Sequence, residues 1–171
     1  MRVELASQPQ VESLVDLFSE LHTYYNEGSV VSREMVRSYL VDTLLARDSP
    51  LRLAVAIDAV ERVAGFAAIS LTYSLVEPAP DRRRHCWLKE LYVRSSCRSA
   101  GVGKALMAWI AQYAVDNGCC RIDWPVKATN ARGIAFYESL GAERVVERLS
   151  YRLSEPSLSR LAAASTSGHG G

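Results

Sequence analysis

The stretch CRSAGVGKAL, residues 97–106, joins a segment with strand-like alternation to one with helical periodicity. It brings two basic residues and two glycines into one turn: Arg98, Gly101, Gly103 and Lys104. The pair Gly103-Lys104 resembles the end of a P-loop, but Arg98 stands where that motif needs glycine, and Ala105 where it needs Ser or Thr. The spacing therefore excludes a P-loop.

A strand that ends at Val93 and turns into a helix presents backbone N–H groups together with the positive end of a helix dipole. Gly101 and Gly103 let the backbone approach a ligand closely, because neither carries a side chain. Arg98 and Lys104 can add charged contacts. The turn predicts a phosphate or pyrophosphate site; the alternative is that its glycines serve only the packing of strand against helix.

The composition predicts one globular domain over residues 1–153, since 49% of the 171 residues are hydrophobic and 23% are charged. A Ser-, Ala- and Gly-rich tail, residues 154–171, follows, and about ten residues at its end are expected to be flexible. The formal net charge of +1 gives no overall field for nucleic acid or an anionic membrane. The function classes that depend on such a field are therefore disfavoured.

Neither a metal site nor a secreted form is predicted. The four cysteines form no CxxC pair and have no metal-ligand spacing with the three histidines. The N-terminus lacks the apolar core of a signal peptide, and no stretch approaches the ~18 apolar residues of a membrane span. These observations favour a cytoplasmic protein with reduced cysteines.

Periodicity predicts the order β-α-α-β-β-β-α-β-α-β-β and a three-layer α/β domain with a mixed sheet. The predicted strands are 2–6, 51–57, 63–74, 85–94, 119–126 and a final pair within 144–153. The predicted helices begin near residues 11, 32, 102 and 131.

Two motifs in this order resemble those of the GCN5-related N-acetyltransferase (GNAT) family. The segment LKELYV at 88–93 precedes Arg98-Ser99-Ala100-Gly101-Val102-Gly103, which matches the family's Arg/Gln-x-x-Gly-x-Gly/Ala motif. Downstream, Asn130 is followed by FYESLGA at 136–142, which matches a second family motif. The resemblance covers nearly the whole chain and implies a GNAT-like α-β-α fold with a splayed central sheet.

The resemblance implies acetyl-coenzyme A as the acetyl donor. The cofactor-binding residues it implies are Leu91, Tyr92, Val93, Arg98, Ser99, Ala100, Gly101, Val102, Gly103, Lys104, Asn130 and Tyr137. Backbone N–H groups of residues 98–104 would hold the pyrophosphate, and the main chain of Leu91 and Val93 would pair with the pantetheine arm. The hydroxyl of Tyr137 would protonate the departing thiolate; a Tyr that only packs its helix against the sheet is the alternative.

The general base is open between several groups. In related small-amine acetyltransferases an acid follows the first Leu of this strand, whereas this chain has Lys89 there and its carboxylate one position later, at Glu90. Successive strand residues face opposite sides, so Glu90 faces the acceptor only if a bulge re-aims it. A salt-bridged Glu90 and a water chain in place of a dedicated base are the alternatives.

The acceptor is expected to be a primary amine of a small molecule, such as a polyamine, an amino-acid derivative or an aminoglycoside. Tyr24, Tyr25 and Glu27 are candidates for binding it through ring faces and a carboxylate; the alternative for Tyr25 is a place in the core. Two other functions stay open: acetylation of a protein or peptide N-terminus, and a non-catalytic acyl-coenzyme A-binding regulatory domain. By resemblance, a homodimer formed through the final strands is expected.

Overall fold

The computed structural model describes residues 1–166. The chain divides into two compact units, one formed by Met1–Pro125 and the other by the residues from Val126 onward. The one-domain interpretation of residues 1–153 stays a prediction.

The first unit is built on a mixed, five-stranded sheet. Its strands are β1 (Arg2–Leu5), β2 (Arg52–Ile57), β3 (Val63–Tyr73), β4 (Arg84–Val93) and β5 (Ile122–Asp123). They lie in the order in which the chain forms them; β1 to β4 are antiparallel to their neighbours and β5 is parallel to β4. The mixed sheet predicted from the sequence is confirmed, although β5 is much shorter than the predicted 119–126.

Helices cover both faces of this sheet. They are α1 (Val11–Tyr25), α2 (Arg33–Tyr39) and α3 (Val102–Asp116). Leu14 of α1 and Phe66 of β3 belong to one buried apolar cluster. Gly65 precedes Phe66 and therefore faces the other side, where a Cβ added to it would lie 3.0 Å from Cγ1 of Val102. The three-layer arrangement is thus α1 and α2, the sheet, and α3.

The sequence determines both helices of the first layer locally. Val11, Leu14 and Val15 give α1 one apolar face, and this face is buried against the sheet. Ser32 begins α2 as its N-cap, because its hydroxyl oxygen accepts the N–H of Met35 at 3.1 Å. A π-helical turn, Leu40–Leu44, follows α2.

The second unit contains α4 (Ala131–Ser139) and α5 (Ser157–Thr166). The predicted final pair of strands within 144–153 is wrong, because that segment is irregular and exposes 77% of Leu149 and 88% of Tyr151. Alternating apolar residues form a strand only beside a hydrogen-bonding partner, and the described part of this unit contains no strand that could be one.

The Ala-rich end of the chain also differs from expectation. Residues predicted to be flexible form the end of α5, since Leu and Ala are strong helix formers. The last five residues of the predicted tail, 167–171, lie outside the described residues. Across residues 1–166, none of the helices combines the length and the apolar character that a membrane span requires.

Candidate active site

The connection from β4 to α3 begins with Arg94 and a 3₁₀ turn at Ser95–Cys97, and ends at Gly101, the N-cap of α3. Gly101 has φ of +79°, a left-handed conformation that favours glycine, and a Cβ placed on it would meet no atom within 4 Å. The first i to i−4 bond of α3 runs from Ala105 N–H to the Gly101 carbonyl at 3.0 Å. The N–H groups of residues 102–104 therefore precede the first i to i−4 bond and have no acceptor of that kind within the helix.

Alternate residues near the end of β4 direct their main-chain N–H and C=O groups away from β3. Arg94 N–H donates to the Ala64 carbonyl at 2.9 Å, and Val93 lies opposite Gly65. Bonded and non-bonded pairs alternate in an antiparallel ladder, so the N–H and C=O of Val93, and those of Leu91, point to the other edge of β4. Within residues 1–125, β5 pairs with β4 only opposite Cys86 and Trp87. This edge of β4 is therefore unpaired within the first unit at Leu91 and Val93.

A β-bulge in β4 determines the direction of Glu90. Ala68 lies opposite Glu90 but Ile69 lies opposite Leu88, so Lys89 is an extra residue without a partner on β3. The extra residue shifts the alternation by one position. Leu88 and Glu90 consequently face opposite sides of the sheet, whereas an unbroken strand would place them on the same side.

Glu90 faces α1. The Tyr25 hydroxyl donates to the Glu90 carboxylate through long hydrogen bonds, 3.4 Å to Oε1 and 3.5 Å to Oε2. Burial, and then the adjacent carboxylate, raise the pKa of Tyr25, so its phenol remains a proton donor. The two predicted residues, one for catalysis and one for acceptor binding, are therefore in direct contact.

Arg98 lies with its side chain along the end of β4. Its Nε donates to the Val93 carbonyl at 3.2 Å, and its Nη2 donates to the Tyr92 hydroxyl at 3.4 Å. The guanidinium carbon is 5.6 Å from the centre of the Tyr92 ring and 5.9 Å from that of Tyr24. In this conformation the guanidinium stabilises the loop through β4 and α1.

The other two candidate acceptor residues lie at the end of α1 and beyond it. Tyr24 is 57% exposed, and its ring packs edge-on against Tyr25 with centroids 5.1 Å apart. Glu27 follows the helix and is exposed. The structure thus places Tyr24 against Tyr25, and Tyr25 against Glu90.

The second unit holds the remaining two candidates. Asn130 is the N-cap of α4, and its Oδ1 accepts the N–H of Gly133 at 2.9 Å. Tyr137 lies in the middle of α4 with its ring centroid 5.1 Å from that of Phe136. Both therefore have a local role in α4 in addition to the roles that the resemblance implies.

The sequence did not point to two residues that shape this site. For Gly65 a usable signal was present, since a Gly within an apolar strand indicates close approach of another element. In the structure that element is α3, through Val102. Glu20 carries no such signal: a single carboxylate on an amphipathic helix gives no sign that it accepts the N–H of Ser95 at 2.8 Å. Within residues 1–166, no group of three or more His, Cys, Asp and Glu is placed to hold a metal ion.

Comparison with known proteins identifies the family. Residues 12–142 match the model of the Acetyltransferase (GNAT) family. A solved integron cassette protein from the mobile metagenome of V. cholerae is 30% identical with a TM-score of 0.84, covering 94% of this chain and 96% of that one.

Two curated relatives match over shorter regions. The thialysine N-epsilon-acetyltransferase of Bos taurus is 28% identical over 50% of this chain and 47% of its own length. The L-ornithine N5-acetyltransferase NATA1 of Arabidopsis thaliana is 32% identical over 47% of this chain and 34% of its own length. Each match covers less than half of the curated relative.

A fold of this kind, with a loop of N–H donors beside an unpaired strand edge, defines an acyl-coenzyme A-binding acetyltransferase scaffold. The chain belongs to the acetyltransferase (GNAT) family, whose members use acetyl-coenzyme A as the acetyl donor.

Proposed function

We propose that this chain transfers acetyl from acetyl-coenzyme A to a primary amine of a small molecule. The observation that carries the proposal lies in β4, which presents the main chain of Val93 along one edge and the Glu90 carboxylate toward α1. The named activities of two relatives, on thialysine and on L-ornithine, support an amino-acid derivative as acceptor. Polyamines and aminoglycosides also carry primary amines and are the other candidate acceptors.

The residues present fit coenzyme A. The N–H groups of residues 102–104, the helix dipole of α3 and the space in front of Gly101 suit a pyrophosphate. The unpaired edge at Leu91 and Val93 suits an arm that contains amide groups. The carbonyl of Val93 already accepts Arg98, so the N–H of Val93 is the group proposed to contact the ligand.

The chemistry needs a neutral amine, a stabilised oxyanion and a proton for sulfur. Acetyl-coenzyme A, when bound, supplies an acetyl group activated as a thioester, whose carbon–sulfur bond breaks as the new carbon–nitrogen bond forms. Glu90 is proposed to take the proton that the amine loses, directly or through one water. The N–H of Val93 is proposed to stabilise the oxyanion, and the Tyr137 hydroxyl to protonate the departing thiolate.

A binding and turnover experiment tests the proposal. Calorimetry measures coenzyme A binding, and thiol release is then followed with putrescine, spermidine, L-ornithine, L-lysine and an aminoglycoside. Tyr137→Phe should bind coenzyme A as the parent does and release thiol about 100-fold more slowly. The absence of saturable binding would overturn the proposal, and binding without turnover on any amine would favour an acyl-coenzyme A sensor.

We also propose that the chain forms a homodimer through the residues that follow α4. Exposed apolar side chains in that segment support this: Val146, Leu149 and Tyr151 expose 76%, 77% and 88% of their surface. Sedimentation velocity over a range of concentrations tests it, with a monomer at every concentration as the contrary result.

A further inference from the structure

Glu20 connects α1 to the first residue of the loop that follows β4. Its Oε1 accepts the N–H of Ser95 at 2.8 Å and the hydroxyl of Tyr92 at 3.1 Å, and its Oε2 lies 3.7 Å from Nη1 of Arg94. Burial opposes its ionisation, but the bonds from Ser95 and Tyr92 and the charge of Arg94 outweigh burial and lower the pKa of Glu20. The carboxylate thus accepts from Tyr92 near the end of β4 and from Ser95 in the loop, and forms an ion pair with Arg94.

Arg94 also binds the start of the loop to its surroundings. Its Nε donates to the Val63 carbonyl at 3.2 Å and its Nη2 to the Ser13 carbonyl at 3.4 Å. The Arg94 side chain is only 14% exposed, so these are bonds of a largely buried cation. The start of the loop is therefore bound to α1 by a partly desolvated ion pair and a hydrogen bond, and to β3 by a hydrogen bond.

The Tyr92 hydroxyl extends this network to the middle of the loop. It donates to Glu20 and accepts from Nη2 of Arg98, whose Nε binds the Val93 carbonyl. Burial, and then Glu20, raise the pKa of Tyr92, so the phenol keeps the proton that it donates. One continuous chain of contacts, from Glu20 through Tyr92 to Arg98, holds the loop on α1.

We propose that Glu20 and the hydroxyl of Tyr92 are positioning residues for coenzyme A, holding the loop of residues 94–101 in its ligand-binding conformation through Ser95 and Arg98. The inference rests on the proposed function, since it assigns the loop to coenzyme A. Neither side chain touches the ligand. Both act by reducing the conformational freedom that the loop would otherwise lose on binding.

The test uses two variants that remove little volume, Glu20→Gln and Tyr92→Phe. Each has a matched control outside the network. Glu12→Gln changes a carboxylate on the same helix that pairs with Arg33 at 2.9 Å, and Tyr113→Phe removes a hydroxyl from α3. Coenzyme A affinity is measured by calorimetry, amide exchange by mass spectrometry on the peptide that contains Ser95, and Tm by thermal unfolding.

Both network variants should raise the Kd for coenzyme A between about threefold and about tenfold and accelerate exchange at Ser95, because charge-assisted hydrogen bonds are lost. The controls should keep the parent's Kd and exchange. A variant that loses Tm while keeping the parent's Kd and Ser95 exchange assigns the network a purely structural role and overturns the inference. A parent that does not bind coenzyme A overturns the proposed function as well, and so the two failures are distinguishable.

Discussion

The Tyr25 hydroxyl lies 3.4 Å from Oε1 of Glu90, although the two residues are 65 positions apart in the chain. The contact exists because Lys89 is an extra residue in β4 and turns Glu90 toward the end of α1. A carboxylate that accepts from a phenol is held in place, and the candidate acceptor-binding residue beside Glu90 fits the proposal that Glu90 receives a proton from the amine.

Replacing Glu90 by Gln tests this assignment. Glu90→Gln keeps the shape but removes the basic group, so kcat should fall by between about 10² and about 10⁴, with an unchanged Kd for coenzyme A. Steady-state kinetics with the best amine of the panel and calorimetry measure the two quantities. A kcat within about twofold of the parent would assign proton removal to water instead.

Tyr25→Phe tests the positioning of the Glu90 carboxylate separately from proton transfer to it. The variant keeps the Glu90 carboxylate but removes its phenol partner, so kcat should fall less than in Glu90→Gln, by about tenfold or less. The same kinetic measurement checks it. Equal losses in the two variants would show that the phenol and the carboxylate act as one unit.

Adding a methyl group at Gly65 should disturb the loop of residues 94–101 by displacing the strand and the helix that flank it. A Cβ there would lie 2.9 Å from the Tyr92 carbonyl oxygen and 3.0 Å from Cγ1 of Val102, so β4 and α3 must each shift away from Gly65. Gly65→Ala should lower the free energy of unfolding by about 1–3 kcal/mol and weaken coenzyme A binding.

Urea unfolding and calorimetry measure the two effects of Gly65→Ala. Gly28→Ala is the control, because Gly28 has φ of +78° and no atom within 4 Å of an added Cβ. That variant introduces backbone strain alone and should leave coenzyme A binding unchanged. Unaltered affinity in Gly65→Ala would show that the loop tolerates displacement of α3.

The lowered pKa of Glu20 predicts a pH-dependent contribution to stability. The folded protein binds this proton less tightly than the unfolded chain, so the contribution is complete above the ordinary value of 4.5 and is lost as pH falls through the lower folded-state value. The difference in free energy of unfolding between the parent and Glu20→Gln should therefore stay constant above about pH 5 and shrink as the pH falls below 4.5. Urea unfolding at a series of pH values measures it, and a constant difference would contradict the assignment.

The cysteines should differ sharply in reactivity. Burial raises the pKa of the Cys86 thiol to about 11, whereas Cys120 is exposed. At pH 8 roughly one Cys86 thiol in a thousand is ionised, so a disulfide reagent should label Cys120 first and Cys86 last. Peptide mapping of the natively labelled protein measures the order, and equal rates would show that the strand around Cys86 opens readily.

The sequence was sufficient to predict the strand, loop and helix that form the proposed coenzyme A site. Alternation up to Val93, glycine at 101 and helical spacing from Val102 are local signals, and the structure confirms the elements they predict. The direction of Glu90 was not predictable, because alternation along β4 gives one answer without a bulge and the opposite answer with one. Lys89 becomes the extra residue only through pairing with β3.

Two other features depend on partners distant in the sequence. The segment 144–153 has the alternation of a strand, yet alternation cannot supply the neighbouring strand that hydrogen bonding requires. Arg98 was expected to reach a phosphate, and the structure directs its guanidinium toward Tyr92 and Tyr24. The rings that attract it come from β4 and from α1, so no pattern within the loop could predict this conformation.

The proposed use of main chain on the donor side and of side chains on the acceptor side has an evolutionary consequence. Backbone groups at Val93 and residues 102–104 persist through most substitutions, whereas exchange of Tyr25 or Glu90 changes the surface proposed to meet the amine. Descendants of such a chain can therefore acquire new acceptors while they retain the donor. Tyr24 is the exception, because its ring contacts Arg98. A substitution of Tyr24 therefore affects the proposed binding sites of both substrates.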